Sequence, residues 1–188
     1  MSPVQEQLSS VFGFADFRPG QAEVVEAVAA GENTLAIMPT GGGKSLCFQL
    51  PALVRGGVTV VISPLIALMR DQVRALQAAG VEAGALTSGN TEEENNAVFD
   101  ALGEGRLKLL YMAPERLASG GTFNLLKRVG TSLIAVDEAH CVSQWGHDFR
   151  PDYLRIGDLK RALNVPLAAF TATADEETRE EIVEKLFA

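Results

Sequence analysis

The chain has 188 residues, of which 47% are hydrophobic and 21% are charged. That length suits one domain with a real core, and the composition is typical of soluble globular proteins. No apolar run approaches the roughly 18 residues of a membrane helix, and the polar N-terminus lacks the pattern of a signal peptide. Cys47 and Cys141 form no CxxC pair, which favours a reducing compartment. We therefore expect a cytoplasmic protein with no membrane partner, associated with the nucleoid if it is bacterial.

The net charge of −8 argues against a uniformly basic, nucleic-acid-binding surface. Residues 175–188 contain six acids and two basic residues, a net −4, so half of the excess lies in one terminal segment. We interpret that segment as a helix with a solvated acidic face, and a contact with another lobe is the alternative. Any DNA contact must then come from a local patch of Arg, Lys and backbone amides.

Short apolar runs alternate with helical stretches along the whole chain. The predicted strands are residues 34–38, 58–62, 83–86, 107–112, 133–137 and 167–171. Ser63 and Pro64 are the expected N-cap and first residue of a helix, and Thr91–Glu94 and Thr173–Glu176 have the spacing of capping boxes. Nearly continuous apolar strands alternating with helices predict one α/β domain: a doubly wound, mainly parallel sheet with helices on both faces.

A glycine-rich segment follows the first predicted strand and consists of Pro39, Thr40, Gly41, Gly42, Gly43, Lys44 and Ser45. Consecutive glycines allow backbone N–H groups to surround a phosphate, and the next helix adds its N-terminal dipole. Lys44 can reach the β- and γ-phosphates of ATP, while the Ser45 hydroxyl can bind Mg²⁺. The usual phosphate-loop pattern has glycine where this chain has Met38, so the prediction depends on the strand–loop–helix context. A glycine-rich turn with a surface lysine is the alternative.

Two adjacent acids, Asp137 and Glu138, end a hydrophobic strand. Buried acids are costly unless a cation or a reaction uses them. Asp137 is therefore predicted to hold Mg²⁺ together with Ser45, and Glu138 to polarise the water that attacks ATP. With Lys44, these two acids form the candidate catalytic set. Two acids that favour a helix start are the alternative.

Residues 137–140, Asp-Glu-Ala-His, resemble the DEAH-type box of helicases. The continuation through residues 141–153 resembles the aromatic-rich loop of the RecQ family, and the similarity extends over essentially all of residues 1–188. The resemblance implies a RecA-like first motor lobe that binds ATP and Mg²⁺. It also implies that Arg18 and Gln21 contact the adenine while Phe14, often Tyr in that family, stacks on it.

The same resemblance implies that residues near the last two strands couple DNA binding to the ATP site. These residues are Trp145, His147, Phe149, Arg150, Thr171 and Thr173. Two alternatives concern individual side chains: His140, Cys141 and His147 could be zinc ligands, and Trp145 could be an ordinary core aromatic.

The resemblance implies an ATP-dependent 3′→5′ DNA helicase that acts in recombination and repair on single-stranded and partly duplex DNA. We expect a monomeric motor that works with a second RecA-like lobe. That lobe, the zinc-binding region and the winged helix of the family are absent from the 188 residues, so the chain alone should not unwind DNA. One rival hypothesis is a nucleotide- or DNA-binding module with negligible catalysis. The other is a small-molecule kinase, and the aromatic-rich loop argues against a kinase.

Overall fold

The computed structural model describes residues 2–39, 43–172 and 175–188. The strands in these segments are β1 (Thr34–Ile37), β2 (Val58–Ile62), β3 (Ala83–Leu86), β4 (Leu109–Met112), β5 (Thr131–Val136) and β6 (Leu167–Thr171). They form one sheet in the order β1-β6-β5-β2-β4-β3, and every pair of neighbours is parallel. The predicted parallel α/β fold is confirmed, although β4 begins two residues later than expected and β5 two residues earlier.

Helices cover both faces of this sheet. They are α1 (Pro3–Ser10), α2 (Gln21–Ala29), α3 (Leu46–Val54), α4 (Ile66–Ala78), α5 (Glu92–Gly103), α6 (Thr122–Arg128), α7 (Leu154–Leu163) and α8 (Glu176–Ile182). Alternate strand residues point to opposite faces, so Val61 packs with α1 to α4 while Val60 packs with α5 to α8. Two hydrophobic clusters result, and together they explain why the strands are apolar at nearly every position.

Two of the predicted helix starts differ from the structure. The α4 helix begins at Ile66 with Leu65 as its N-cap, because the Ser63 hydroxyl accepts a hydrogen bond from the Leu65 N–H at 3.3 Å and forms a local turn. The N-cap of α8 is Asp175, whose carboxylate accepts from the Thr178 N–H at 2.8 Å. Thr173, the first residue of the predicted capping box, lies outside the described residues.

The capping box that begins α5 is confirmed. The Thr91 hydroxyl accepts a hydrogen bond from the Glu94 N–H at 3.1 Å, and the Glu94 carboxylate accepts from the Thr91 N–H at 3.0 Å. Both ends of this contact satisfy N–H groups that the first turn of a helix leaves unpaired.

The sheet order brings the candidate site together. Because β1, β6 and β5 are parallel neighbours, their carboxyl ends meet at one edge. The Met38 N–H donates to the Thr171 carbonyl at 2.9 Å, and the Asp137 N–H donates to the Ile62 carbonyl at 2.9 Å. These bonds hold the segments after β1 and β5 against the sheet. Among the described residues, no helix is both long enough and apolar enough to cross a membrane.

Candidate nucleotide site and DNA-coupling loop

Lys44 lies between two carboxylates at the carboxyl end of β5. Its Nζ is 3.8 Å from Asp137 Oδ1 and 3.8 Å from Glu138 Oε1. The lysine stands just before α3, and the acids directly follow β5, so the sheet edge joins two segments that are more than ninety residues apart in sequence. The three predicted catalytic residues therefore form one cluster.

Asp137 is a buried acid, only 6% exposed. Burial raises the pKa of its carboxyl above the ordinary value, while the Lys44 ammonium acts in the opposite direction and the nearby Glu138 adds to the rise. One of its oxygens accepts a hydrogen bond from the Glu138 N–H at 2.9 Å. Keeping this carboxyl ionised is unfavourable unless positive charge lies nearby. A site that binds a cation together with a phosphate provides that positive charge.

The residues present fit an Mg²⁺ ion bound with phosphate. Asp137 supplies a hard oxygen ligand, and Ser45 begins α3 without using its side chain to cap that helix. Within the described segments, no group of three or more His, Cys, Asp or Glu could hold a metal ion. An Mg²⁺ ion at Asp137 would therefore need phosphate oxygens and water to complete its coordination, as is usual for this metal.

The backbone at Glu138 has an unusual conformation. Its φ of 54° and ψ of 45° lie in the left-handed region, which is uncommon for a residue other than glycine. The Tyr153 hydroxyl donates to the Asp137 carbonyl at 2.8 Å, and the Cys141 N–H donates to the Glu138 carbonyl at 2.9 Å. These two bonds hold the turn that directs both carboxylates toward Lys44. Tyr153 ends the aromatic-rich segment, and no motif or spacing in the sequence indicated its bond to Asp137.

His140 connects the acids to the neighbouring strand and to the following loop. Its Nδ1 is 2.9 Å from the Thr171 hydroxyl at the end of β6, and its Nε2 is 3.5 Å from Glu138 and 3.4 Å from Asp148. Cys141 is buried, and burial raises the pKa of its thiol to about 11. Among the described residues, which include His140, Cys141 and His147, no group of three or more such side chains could hold a metal ion, so the contacts of His140 favour a connecting role over the zinc alternative.

The residues predicted to bind adenine lie beside the described end of the glycine-rich segment. Phe14, Arg18 and Gln21 line a cleft of about 200 Å³ together with Gly43 and Ser45. Gln21 is only 3% exposed, and its side-chain amide accepts from the Arg18 N–H at 2.8 Å and donates to the Gly43 carbonyl at 3.3 Å. Phe14 is 52% exposed at the rim, where a planar base can stack on it.

Gly43 is required at this position for two reasons. Its φ is +83°, and a Cβ placed on it would lie 2.0 Å from the Gln21 amide nitrogen. Of the other predicted loop residues, Pro39 follows β1, whereas Thr40, Gly41 and Gly42 lie outside the described residues. Gly43, in the described part of the loop, thus contacts Gln21 directly.

The aromatic loop, defined as residues 143–150, projects from the site toward solvent. Trp145 is 81% exposed, so the core-aromatic interpretation is wrong. His147 and Arg150 are exposed, and Phe149 is partly buried. The Arg150 N–H donates to the Cys141 carbonyl at 2.9 Å, which closes the base of the loop near the acids. The structure places Thr171 against His140, and Thr173 lies outside the described residues.

Comparison with known proteins decides the family. Residues 18–182 match the DEAD/DEAH box helicase family. The chain belongs to the DEAD/DEAH box helicases. It is 51% identical over 180 residues to the ATP-dependent DNA helicase RecQ of Haemophilus influenzae, across 95% of this chain and 29% of that protein. It is 44% identical over 188 residues to the probable ATP-dependent DNA helicase RecS of Bacillus subtilis, across 99% of this chain and 38% of that protein.

These relatives confirm the RecQ resemblance that the motifs indicated, and the chain spans less than two fifths of the length of either. Among solved structures, a hypothetical ATP-dependent RNA helicase from Sulfolobus tokodaii superposes with a TM-score of 0.75. That similarity covers 100% of this chain and 55% of the other at 21% identity, so it supports the fold alone. The RecA-like architecture expected of a DEAD/DEAH box helicase is thereby confirmed.

Proposed function

We propose that this domain is the ATP-binding motor lobe of a 3′→5′ DNA helicase that acts on single-stranded and partly duplex DNA. The observation that carries the proposal is the Lys44 ammonium, 3.8 Å from both Asp137 and Glu138, beside the cleft that Phe14, Arg18 and Gln21 line. A structural ion pair would need only one acid. Two acids and a lysine at the end of a strand, next to a glycine-rich loop, are the set that phosphoryl transfer uses.

Each residue of the cluster has a distinct part in this proposal. Lys44 moves from the carboxylates to the β- and γ-phosphates when ATP binds, and Asp137 and Ser45 hold Mg²⁺. Bound Mg²⁺ supplies positive charge that offsets the charge on the phosphate oxygens. Glu138 orients the attacking water and accepts its proton, because its carboxylate is fixed at the site edge by the left-handed backbone turn.

Base recognition follows from the contacts of Gln21. Its side-chain amide has an oxygen with two lone pairs and an NH₂ group with two N–H donors. One lone pair and one N–H remain beside the bonds to Arg18 and Gly43, and they match the donor and acceptor on the edge of adenine. The same amide contacts the Gly43 carbonyl, so adenine binding at Gln21 would be felt in the phosphate loop. Phe14 would cover the face of the base, and Arg18 would border it.

Substitutions in the cluster should separate nucleotide binding from hydrolysis. Lys44→Ala removes a charge-assisted contact with phosphate worth about 1.5–3 kcal/mol, so the Kd for fluorescent ADP with Mg²⁺ should rise roughly 10- to 100-fold. Glu138→Gln should leave that Kd nearly unchanged and lower ATP hydrolysis by about 10²–10⁴-fold. Lys127→Ala, an exposed lysine on α6, is the control for loss of one positive charge. Equal ADP affinity for Lys44→Ala and Lys127→Ala would disprove the phosphate-loop assignment.

The aromatic loop should couple DNA to hydrolysis in the protein that also contains the second lobe. Trp145 offers an exposed ring for base stacking, worth about 1–3 kcal/mol per base. The loop continues from the acids through residues 139–142, so its movement reaches Glu138 directly. Trp145→Ala should therefore abolish stimulation of ATP hydrolysis by single-stranded DNA while nucleotide affinity stays within about twofold. Phe149→Ala and Arg150→Ala test the rest of the loop.

Phe99→Ala is the matched control for this experiment, because Phe99 is another exposed aromatic side chain and lies on α5, in a different part of the fold. Stimulation by a DNA oligonucleotide should be unchanged in this variant. If Trp145→Ala also retains full stimulation, the loop does not couple DNA to the ATP site.

The proposal includes the requirement for a second RecA-like lobe. A motor of this type moves DNA by closing two lobes over ATP, and an arginine supplied across that cleft is worth about 10³–10⁵ in rate. These 188 residues alone should therefore bind nucleotide but not separate strands. A strand-separation assay with a fluorescent partial duplex measures this, and robust unwinding by the chain alone would contradict it.

The cellular part of the proposal rests on the RecQ resemblance. It comprises a role in recombination and repair, a monomeric motor, and a location in the cytoplasm or at a bacterial nucleoid. Sensitivity of a deletion strain to DNA-damaging agents tests the repair role. A deletion strain as resistant as its parent would count against it.

A further inference from the structure

The start of the aromatic loop is attached to α8 through a single side chain. The Glu181 carboxylate accepts a hydrogen bond from the Ser143 hydroxyl at 2.8 Å and another from the Gln144 N–H at 3.2 Å. Ser143 is fully buried, whereas Trp145, two residues later, projects into solvent. The two bonds therefore lie at the point where the chain leaves the core and becomes the exposed part of the loop.

The other contacts of the loop are more local. The Gly146 N–H donates to the Ser143 carbonyl, the Arg150 N–H donates to the Cys141 carbonyl, and Asp148 faces His140. Each joins the loop to itself or to a segment next to it in the sequence, as does the bond that the Tyr153 N–H donates to the Arg150 carbonyl at 3.0 Å. Among the hydrogen bonds of the described residues, those of Glu181 tie the loop to a separate element of the fold, 37 and 38 residues further along the chain.

The α8 helix is a firm support for this contact. Ile182 and Leu186 are fully buried, one on α8 and one in the turn that follows it. A Cβ at Gly157 of α7 would lie 2.2 Å from the Lys185 carbonyl oxygen, so α7 and the turn after α8 approach as closely as glycine allows. Because α8 is packed against the core in this way, the loop is the partner that can move.

The charge around Trp145 indicates the direction of that movement. Trp145 lines a cleft of about 420 Å³ together with Glu177, Glu180, Glu181 and Glu184 of the terminal segment. Carboxylates repel DNA phosphates, so a strand that stacks on Trp145 is favoured on the side away from α8. A strand bound on that side would favour a loop position further from Glu181.

We propose that Glu181 is a positioning residue that holds the aromatic loop in its DNA-free conformation, and that binding of single-stranded DNA breaks its bonds to Ser143 and Gln144. The inference rests on the proposed DNA-coupling role of the loop. It assigns Glu181 a function beyond its negative charge. DNA binding must supply the free energy to break these two bonds before movement of the loop reaches Glu138. Without this side chain, DNA binding needs to supply less free energy.

Trp145 is the only tryptophan of the chain, so its fluorescence reports on the loop. Glu181→Ala should lower the fluorescence anisotropy of Trp145 without DNA and should tighten binding of a labelled oligothymidine about fivefold relative to Glu180→Ala, since two hydrogen bonds no longer oppose it. Glu180→Ala is the matched control, because it removes the same charge from the same cleft without touching Ser143 or Gln144. Ser143→Ala removes one of the two bonds from the loop side and should give a smaller change of the same sign.

The outcomes test the positioning role of Glu181 separately from the proposed function. Equal anisotropy in Glu181→Ala and Glu180→Ala would overturn that positioning role. A mobile loop in Glu181→Ala without tighter DNA binding than in Glu180→Ala would overturn it as well. If circular dichroism shows that Glu181→Ala disrupts α8, Ser143→Ala decides the question, because it leaves the helix unchanged. If the wild-type chain binds no oligonucleotide, the DNA-binding proposal fails, whereas the anisotropy comparison still tests the positioning role of Glu181.

Discussion

A carboxylate buried at the end of a central strand needs positive charge beside it, and this requirement organises the rest of the structure. Burial raises the pKa of Asp137, and the ammonium of Lys44, 3.8 Å away, only partly offsets that effect. Glu138 adds a second negative charge to the same place and adopts a left-handed backbone conformation. A fold selected only for stability would avoid all three features, so the cluster is best explained by a ligand that brings cations and phosphates to it.

The parallel sheet turns this local arrangement into a connected site. Because β1, β6 and β5 are neighbours, Lys44, Thr171 and the two acids share one edge. His140 joins the acids to Thr171 and faces Asp148 of the aromatic loop, so a displacement of that loop has a short path of direct contacts to Glu138. In the account proposed here, DNA acts on hydrolysis through this path, and Glu181 determines how readily the loop moves.

Local patterns in the sequence predicted the sheet and selected residues that the structure brings together in the candidate site. They did not indicate contacts between residues that are far apart in the sequence. β2 and β6 have the predicted bounds because their apolar runs coincide with their hydrogen-bonded ladders. β4 starts late because Leu107 is buried by packing without joining a ladder, so its hydrophobicity was misleading. Tyr153 bonds a carbonyl 16 residues away, and Glu181 bonds a hydroxyl 38 residues away. Periodicity and spacing carry no signal for such pairs.

The most direct test of the central claim is the free energy of unfolding of Asp137→Asn, measured in urea without nucleotide at several pH values. The folded-state pKa of Asp137 is raised, so the stability that this group contributes is full below its unfolded pKa and is lost as pH rises through the folded pKa. The neutral amide avoids that loss. The variant should therefore gain stability over wild type as pH rises from the acid range to neutrality, while Mg²⁺-dependent ATP hydrolysis is lost. A variant that is less stable than wild type at neutral pH, or that still hydrolyses ATP normally, would contradict the account.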